Sequence, residues 1–430
     1  MIEHSTIHRI TWRLIPFLLL LYVVAWLDRV NISFAALQMN EDLNFSSSVY
    51  GFGAGVFFVG YALCEVPSNL ILARVGARRW IARIMITWGI ISIAMMFVTT
   101  PMVFYTLRFL LGVAEAGFLP GIIYYLSQWY PARQRARAVG WFMAAIPLSI
   151  VVGGPVAGII LELNGLLDLR GWQWLFLLEG VPAVILGFVV LGYLDDRPDA
   201  VHWLTPEQRR WLCDRLREEA SATEQHHNIR LSKALLHPTV WLLALIMFTC
   251  QTGSYGLSLW IPQIVKHLSG LSDFLVGMIT AIPYFAAAIG MVLIGASSDR
   301  TGERFLHIAV PSFIAVIGFS LSAWLVSPVP ALIALTVAAI GDLGSRGPFW
   351  ALPPQFLTGS AAAGGIALIN TIGSLGGFVG PYAVGLVLDY TGSYAGGLLF
   401  LALLLLIGAV ITLQLKRIPI LSGKLPQQEA

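Results

Sequence analysis

A chain that repeatedly offers runs of about 20 apolar residues is matched to one solvent, because such a run spans the ~30 Å hydrocarbon layer of a bilayer as a helix. Twelve runs of this kind occur, near 14–34, 49–72, 80–99, 102–127, 137–162, 174–194, 239–262, 271–298, 305–326, 329–352, 360–388 and 393–415. Pro147, Pro155, Pro283 and Pro381 fall inside them, which membrane helices tolerate because neighbours satisfy the freed backbone groups. Charged residues make up 11% of the chain, against about 25% in soluble domains, too few to clothe a water-facing surface. The expected class is an all-α membrane protein of twelve transmembrane helices. The first run follows His8, Arg9 and Arg13 and leads into Asp28 and Arg29. It reads as a retained span, with a cleaved signal peptide as the alternative.

The one long polar stretch, about 195–237, divides the chain into an N-terminal bundle (1–194), a linker (195–237) and a C-terminal bundle (238–430). Within the linker, Thr205-Pro206 reads as a helix start, with Thr as cap and Pro in the first turn. Of 26 Lys and Arg residues, 21 fall in segments on the N-terminal side of the spans. Arg170 and Lys266 fall on the other side, and Arg29, Arg108 and Arg346 lie within spans. This asymmetry requires an even number of spans and predicts both termini in the cytoplasm of a cell (inner or plasma) membrane.

The halves repeat. Arg74, Gly76 and Arg78 recur as Arg300, Gly302 and Arg304, and Gly154, Pro155 and Ala157 recur as Gly380, Pro381 and Ala383, always at an offset of 226. Two six-helix repeats in one chain are a frequent architecture of secondary transporters, with the substrate site between the halves near the midplane.

A charge at mid-membrane costs at least ~2.5–3.5 kcal/mol, so it survives when paired or when it lines a wet cavity. Asp28, Arg29, Glu65, Arg108, Glu115, Asp342 and Arg346 are such charges, whereas Glu162, Glu179 and Asp389 read as interfacial. Arg108 and Glu115, seven apart, share a helix face about 10 Å apart along the axis. A structural reading pairs Asp28 with Arg108 and Arg29 with Glu115; a functional one makes the arginines anchors for an anion. Asp342 and Arg346 are four apart and could bridge within one helix, or Arg346 could be a second anion anchor. Glu65 reads as a gate or packing ion pair. Asp299, Arg300, Gly302 and Arg304 read as a cytoplasmic latch on conformation. Gly51, Gly53 and Gly55 have no preceding strand and read as close helix packing.

Cys64, Cys213 and Cys250 show no disulfide or metal spacing, and the His226-His227 pair has no companion ligands. No phosphate loop, zinc motif or nucleophile elbow is present, so no cofactor is expected, no nucleic-acid partner, and no enzyme. A membrane-embedded enzyme would need a nucleophile or metal set at one depth. A sensor would carry an added soluble domain, for which the linker is too short.

These motifs resemble the major facilitator superfamily over essentially the whole chain. The repeated loop is its mark, although Ala73 stands where an acid is usual in the first copy. The finer resemblance is to the anion:cation symporter family, and within it to bacterial tartrate and sugar-acid permeases. It is carried by Leu27-Asp28-Arg29-Val30-Asn31-Ile32, by Glu115 to Gly121, by Gly347 to Pro353, and by Ile366 to Asn370 followed by Gly376-Gly377-Phe378. Val75 to Trp80 and Gly171 to Phe176 also resemble hydroxyphenylacetate permeases. The resemblance implies that Arg29 and Arg108 hold a substrate carboxylate and that Asp28 and Glu115 take up protons. It further implies that Tyr61, Tyr255, Trp260 and Asn370 line the pocket, and that Arg74, Gly76 and Arg78 share the latch. The Asp342–Arg346 pair is not expected at those family positions.

The charges suggest how anion and proton would load together. In an empty site Asp28 or Glu115 pairs with an arginine; an arriving anion takes that arginine over, and the stranded, desolvated carboxylate binds a proton. The expected partners are therefore a small organic anion, protons and the lipid bilayer, for a chain functional as a monomer. Alternatives are an aromatic carboxylate substrate, sodium coupling, or a neutral-sugar or drug carrier, the last opposed by two arginines in the cavity.

Overall fold

The computed structural model describes residues 2–143, 145–224, 237–353 and 359–417; His226 and His227 lie outside them. The first half comprises α1 (Ile2–Asp42), α2 (Ser47–Val75), α3 (Ala77–Ala94), α4 (Pro101–Glu115), α5 (Phe118–Ser127), α6 (Ala132–Met143), α7 (Ala145–Leu161) and α8 (Gly171–Tyr193). The linker carries α9 (Pro206–Glu224). The second half comprises α10 (Pro238–Ser269), α11 (Asp273–Thr301), α12 (Phe305–Trp324), α13 (Pro328–Gly344), α14 (Arg346–Trp350), α15 (Gly359–Thr391) and α16 (Tyr394–Leu415). Among the described residues, 11 helical stretches are long and apolar enough to cross a membrane, with α4–α5 and α13–α14 each counted as one. The fifth expected span is the α6–α7 pair, which flanks residue 144.

The helices start where local chemistry lets them. Ser46, Thr100 and Ser272 accept the N–H of Val49, Val103 and Leu275, three residues on, supplying partners to otherwise orphaned first-turn donors. Pro101, Pro238 and Pro328 occupy first-turn positions. In the linker, Thr205 and Gln208 cap each other reciprocally at 3.2 Å, the capping-box geometry. The first helix is longer than its apolar run because tertiary contacts hold its polar start. Arg13 lies over the rings of Tyr193 and Trp203 at 4.8 and 4.9 Å, and Gln208 donates to Ser5 at 3.0 Å.

Each half packs its own helices and meets the other along two main seams, α7 against α11 and α2 against α15, with a smaller contact of α1 against α10. In the first, a Cβ on Gly277 would stand 2.2 Å from the Gly154 carbonyl oxygen; in the second, a Cβ on Gly51 would stand 2.5 Å from that of Pro381. Gly51 and Gly277 are related by the 226-residue offset, so the seams are the two copies of one repeat-related contact. Polar clamps lie at the same end. Gln38 donates to Asp273 at 2.7 Å, Asn40 to Gln263 at 3.2 Å, and Tyr50 to the Leu259 carbonyl at 2.5 Å. The N–H groups of Ser47 and Ser48 donate to Asp389 at 2.9 and 2.8 Å. The halves are therefore fastened together at the end remote from the chain termini and the linker.

Candidate functional site

Arg29 projects from the middle of α1 and is 11% exposed. It forms an ion pair with Glu115, the last residue of α4, and donates to the Tyr255 hydroxyl of α10 at 3.5 Å. Its guanidinium also lies 5.3 Å from the ring centroids of Trp26 and Tyr61 and 5.5 Å from that of Phe57. Arg29 and Tyr255 are 226 residues apart, which makes them repeat-equivalent positions. Equivalent positions that touch lie at the pseudo-twofold axis, so the buried charge sits where the halves meet.

The second half supplies its own guanidinium. Helix α13 stops at Gly344 and α14 begins at Arg346, and Arg346 reaches α10. It donates to Gln251 at 3.0 Å, the Cys250 carbonyl at 2.8 Å and Ser254 Oγ at 2.7 Å. Ser254 in turn donates to Asp342, and Asp342 lies 3.6 Å from Arg346, so the expected i, i+4 bridge crosses the break between α13 and α14 and is one strand of a wider network. Residues 250–255 of α10 thus hold Arg346 on one side and Arg29 on the other.

The structural pairing is half realised. Arg29 meets Glu115, but Asp28 and Arg108 do not bond. Asp28 accepts from Trp88, from Ser92 and, at 2.9 Å, from Asn31. Arg108 is 1% exposed and donates to the carbonyls of Gly53 and Ala54 at 3.3 and 3.2 Å, with its Nη1 buried and unpartnered. Glu65 makes a cross-half hydrogen bond, accepting from Asn370 at 2.6 Å, where an ion pair was expected. Tyr61 and Tyr255 adjoin Arg29. Trp260 does not: it is 1% exposed, packs edge-on to Tyr50 and donates to the Pro381 carbonyl at 2.9 Å in the closed seam. Asp389 also sits in that seam, capping α2. Glu179 is not interfacial. It lies eight residues into α8, about 12 Å from the helix start, and is 7% exposed.

The residues missed in the sequence are Trp88, Ser92, Gln251 and Ser254, together with Asn31, which entered only as part of the first-helix motif and without a role. All are neutral and polar, and nothing in their spacing marks them among the many Ser, Thr and Gln of the spans. Only the charge they surround gives them away.

Residues 18–381 match the model of the Major Facilitator Superfamily. The chain belongs to the Major Facilitator Superfamily. It is 54% identical over 417 residues to a protein of Agrobacterium vitis named "Putative tartrate transporter", covering 97% of this chain and 96% of that one. It is 45% identical to a "Quinolone resistance transporter" of Acinetobacter baumannii over 95% of this chain and 94% of the relative. A solved bacterial homolog of the human lysosomal transporter Spinster, in an inward-facing and occupied conformation, superposes with a TM-score of 0.77 at 18% identity. It covers 94% of this chain and 96% of that one, a likeness of fold. The resemblance read from the motifs is borne out, as is the all-α membrane fold, with 11 membrane-length helical stretches among the described residues. The chain is a multi-pass membrane transporter of small molecules and not an enzyme.

The superfamily's loop motif takes two forms here. In the second copy Arg304 pairs with Asp299 at 2.6 Å, around Gly302 at φ +68°, a left-handed turn that suits glycine. In the first copy the acid absent at Ala73 is supplied from a distance. Asp196, just after α8, accepts the Arg78 N–H at 2.8 Å, and a Cβ on Gly76 would stand 2.9 Å from its carboxylate. Arg74 and Arg300 remain exposed.

Proposed function

We propose that the protein is a proton-coupled symporter that takes up a small organic anion, a tartrate-like or sugar-acid carboxylate, by alternating access. The observation that carries this reading is the pair of guanidinium groups, Arg29 and Arg346, both hydrogen-bonded to residues 250–255 of α10. Two cations held by the same stretch of α10 suit a substrate with two carboxylates. The tartrate name of the 54% identical relative agrees. Arg29 binds one carboxylate with Tyr61 and Tyr255 beside it, Arg346 binds the other, and Asn370 borders the site. Arg108, with its free Nη1, joins Arg29 when α2 releases it.

Glu115 is the coupling carboxylate. It holds Arg29 while the site is empty; an incoming carboxylate competes for Arg29, and the released Glu115, still out of water, accepts a proton. Anion and proton thereby favour each other's binding by the same factor. Asp28 is a second proton site. The bundles 1–194 and 238–430 rock about this centre, with the linker 195–237 and both termini in the cytoplasm. On that orientation the fastened end faces outside and the site faces inward. The loops at Arg74, Gly76 and Arg78 and at Asp299, Arg300, Gly302 and Arg304 latch the opposite state.

Purified protein in liposomes tests this. Under an imposed pH gradient, labelled tartrate or a hexonate accumulates and sodium replacement leaves uptake unchanged. Glu115→Gln abolishes accumulation while substrate exchange persists; full uphill uptake by this variant refutes the role. A panel adding phthalate, hydroxyphenylacetate and a quinolone decides the substrate class, and selective transport of the quinolone would overturn the organic-acid reading.

A further inference from the structure

Glu179 has no part in the scheme above, yet it is buried in the N-terminal bundle without a cation. Gly171, the first residue of α8, meets Gln38 of α1. The two helices run in opposite directions, so eight residues further along α8 brings Glu179 level with Val30 and Asn31. Its side chain interacts with Asn31 and feels the charge of Asp28.

The hydrogen-bond inventory there is lopsided. Asp28 receives three donors, from Trp88, Ser92 and the Asn31 amide nitrogen, an arrangement that suits the ionised form, which can only accept. The other end of the same amide, Asn31 Oδ1, is buried with no donor, and Glu179 Oε2 is buried with no partner. Two neighbouring acceptors left without a donor are costly out of water. A proton on Glu179 supplies a donor beside the Asn31 amide.

We propose that Glu179 is a proton-binding site, bridged to Asp28 by the Asn31 amide and set apart from the substrate cavity. In the state described, Glu179 carries the proton and Asp28 the charge. If the proton leaves a Glu179 oxygen for an Asp28 oxygen, no other bond changes. A half-turn of the amide then lets Oδ1 accept from Asp28 and the nitrogen donate to Glu179.

Among the described residues, the surroundings contain no competing cation at contact. Helix α3 presents Gly89 and Ile93 to Gly180 of α8, together with Trp88 and Ser92. On α7, residues 151–161 are uncharged. The charges next in reach are Glu115 and Arg108, which act on Asp28, and Arg29, one position along α1.

The role in transport rests on the proton-coupled reading; the presence of the proton does not. Glu179→Gln keeps the shape and can still donate to Asn31, but it cannot exchange a proton. Substrate exchange should keep its KM within about twofold. The accumulation supported by a gradient of one pH unit should fall about tenfold, since each coupled proton contributes one decade per unit. Unchanged accumulation in Glu179→Gln overturns the transport role. If exchange is lost as well, Glu179→Asp decides: recovered transport with a shifted pH profile supports the site, and no recovery assigns Glu179 to packing. The infrared difference spectrum between wild type and Glu179→Gln at neutral pH should show a protonated-carboxyl band that the variant lacks. Absence of that band overturns the proton assignment. If wild-type accumulation ignores the pH gradient, proton coupling itself has failed, while the infrared result still decides whether Glu179 holds a proton.

Discussion

The seam between α7 and α11 offers a direct test of how the halves are held. A Cβ added at Gly277 would lie 2.2 Å from the Gly154 oxygen, 3.0 Å from its carbonyl carbon and 3.3 Å from the Gly158 Cα. These are backbone atoms, which no rotamer change can move aside. In Gly277→Ala the helices must separate by about 1 Å, and overpacking of this kind costs about 1–3 kcal/mol. The cost falls only on the state in which this seam is closed. With alternating access it biases the equilibrium toward the opposite state by about 5–150-fold. Spin labels report this after Cys64, Cys213 and Cys250 are replaced. Leu167 in the first half and Tyr390 in the second are 74% and 88% exposed, at the fastened end. The distance distribution between labels there should gain a longer component in Gly277→Ala. The repeat-equivalent Gly51→Ala, whose Cβ meets the Pro381 oxygen at 2.5 Å, should do the same. A distribution identical to that of the parent protein, at unchanged thermal stability, refutes the claim that these contacts hold the closed seam.

Two further outcomes follow from named contacts. Arg29→Ala should weaken mono- and dicarboxylates alike, by about 2–5 kcal/mol, the loss typical of truncating one partner of a buried charge pair. Arg346→Ala should cost the dicarboxylate selectively; titration calorimetry with a matched pair of acids checks both, and equal losses in Arg346→Ala would remove the second anchor. Between α11 and α12, burial pushes the Glu303 carboxyl up, but the Leu306 N–H, His307 and Lys416 outweigh it and hold it below its usual 4.5. Because the folded value is depressed, the stability it adds is present above pH 4.5 and fades as pH falls through that lower value. A thermal-melt series should therefore show a smaller acid-side loss in Glu303→Gln than in the parent, and identical slopes would contradict the assignment.

What the sequence determined by itself is what depends on composition and period. Apolar runs of membrane length set the spans, since hydrocarbon gives the backbone no partner but itself. The 226-residue offset set the two-bundle plan, and the charges at Asp28, Arg29, Glu65, Arg108, Glu115, Asp342 and Arg346 marked the interior that matters. Capping at Thr205 was legible because a cap is local. The choice of partners was not. Several cationic and anionic groups stand at similar depths, and helix rotation, set by close contacts such as Gly277 on Gly154, decides which of them face each other. Hence Arg29 found Glu115, while Asp28 turned into the N-terminal bundle toward Trp88, Ser92 and Asn31, and Arg108 toward the α2 backbone. Glu179 looked peripheral because its distance along the sequence from a span end was misjudged by a few residues. The acid missing at Ala73 was filled by Asp196, 118 positions from Arg78. Hydrophobic burial is additive along a chain and can be read in order, whereas a buried charge is satisfied only by what the whole packing brings within about 3 Å, and that information exists only once the helices are assembled.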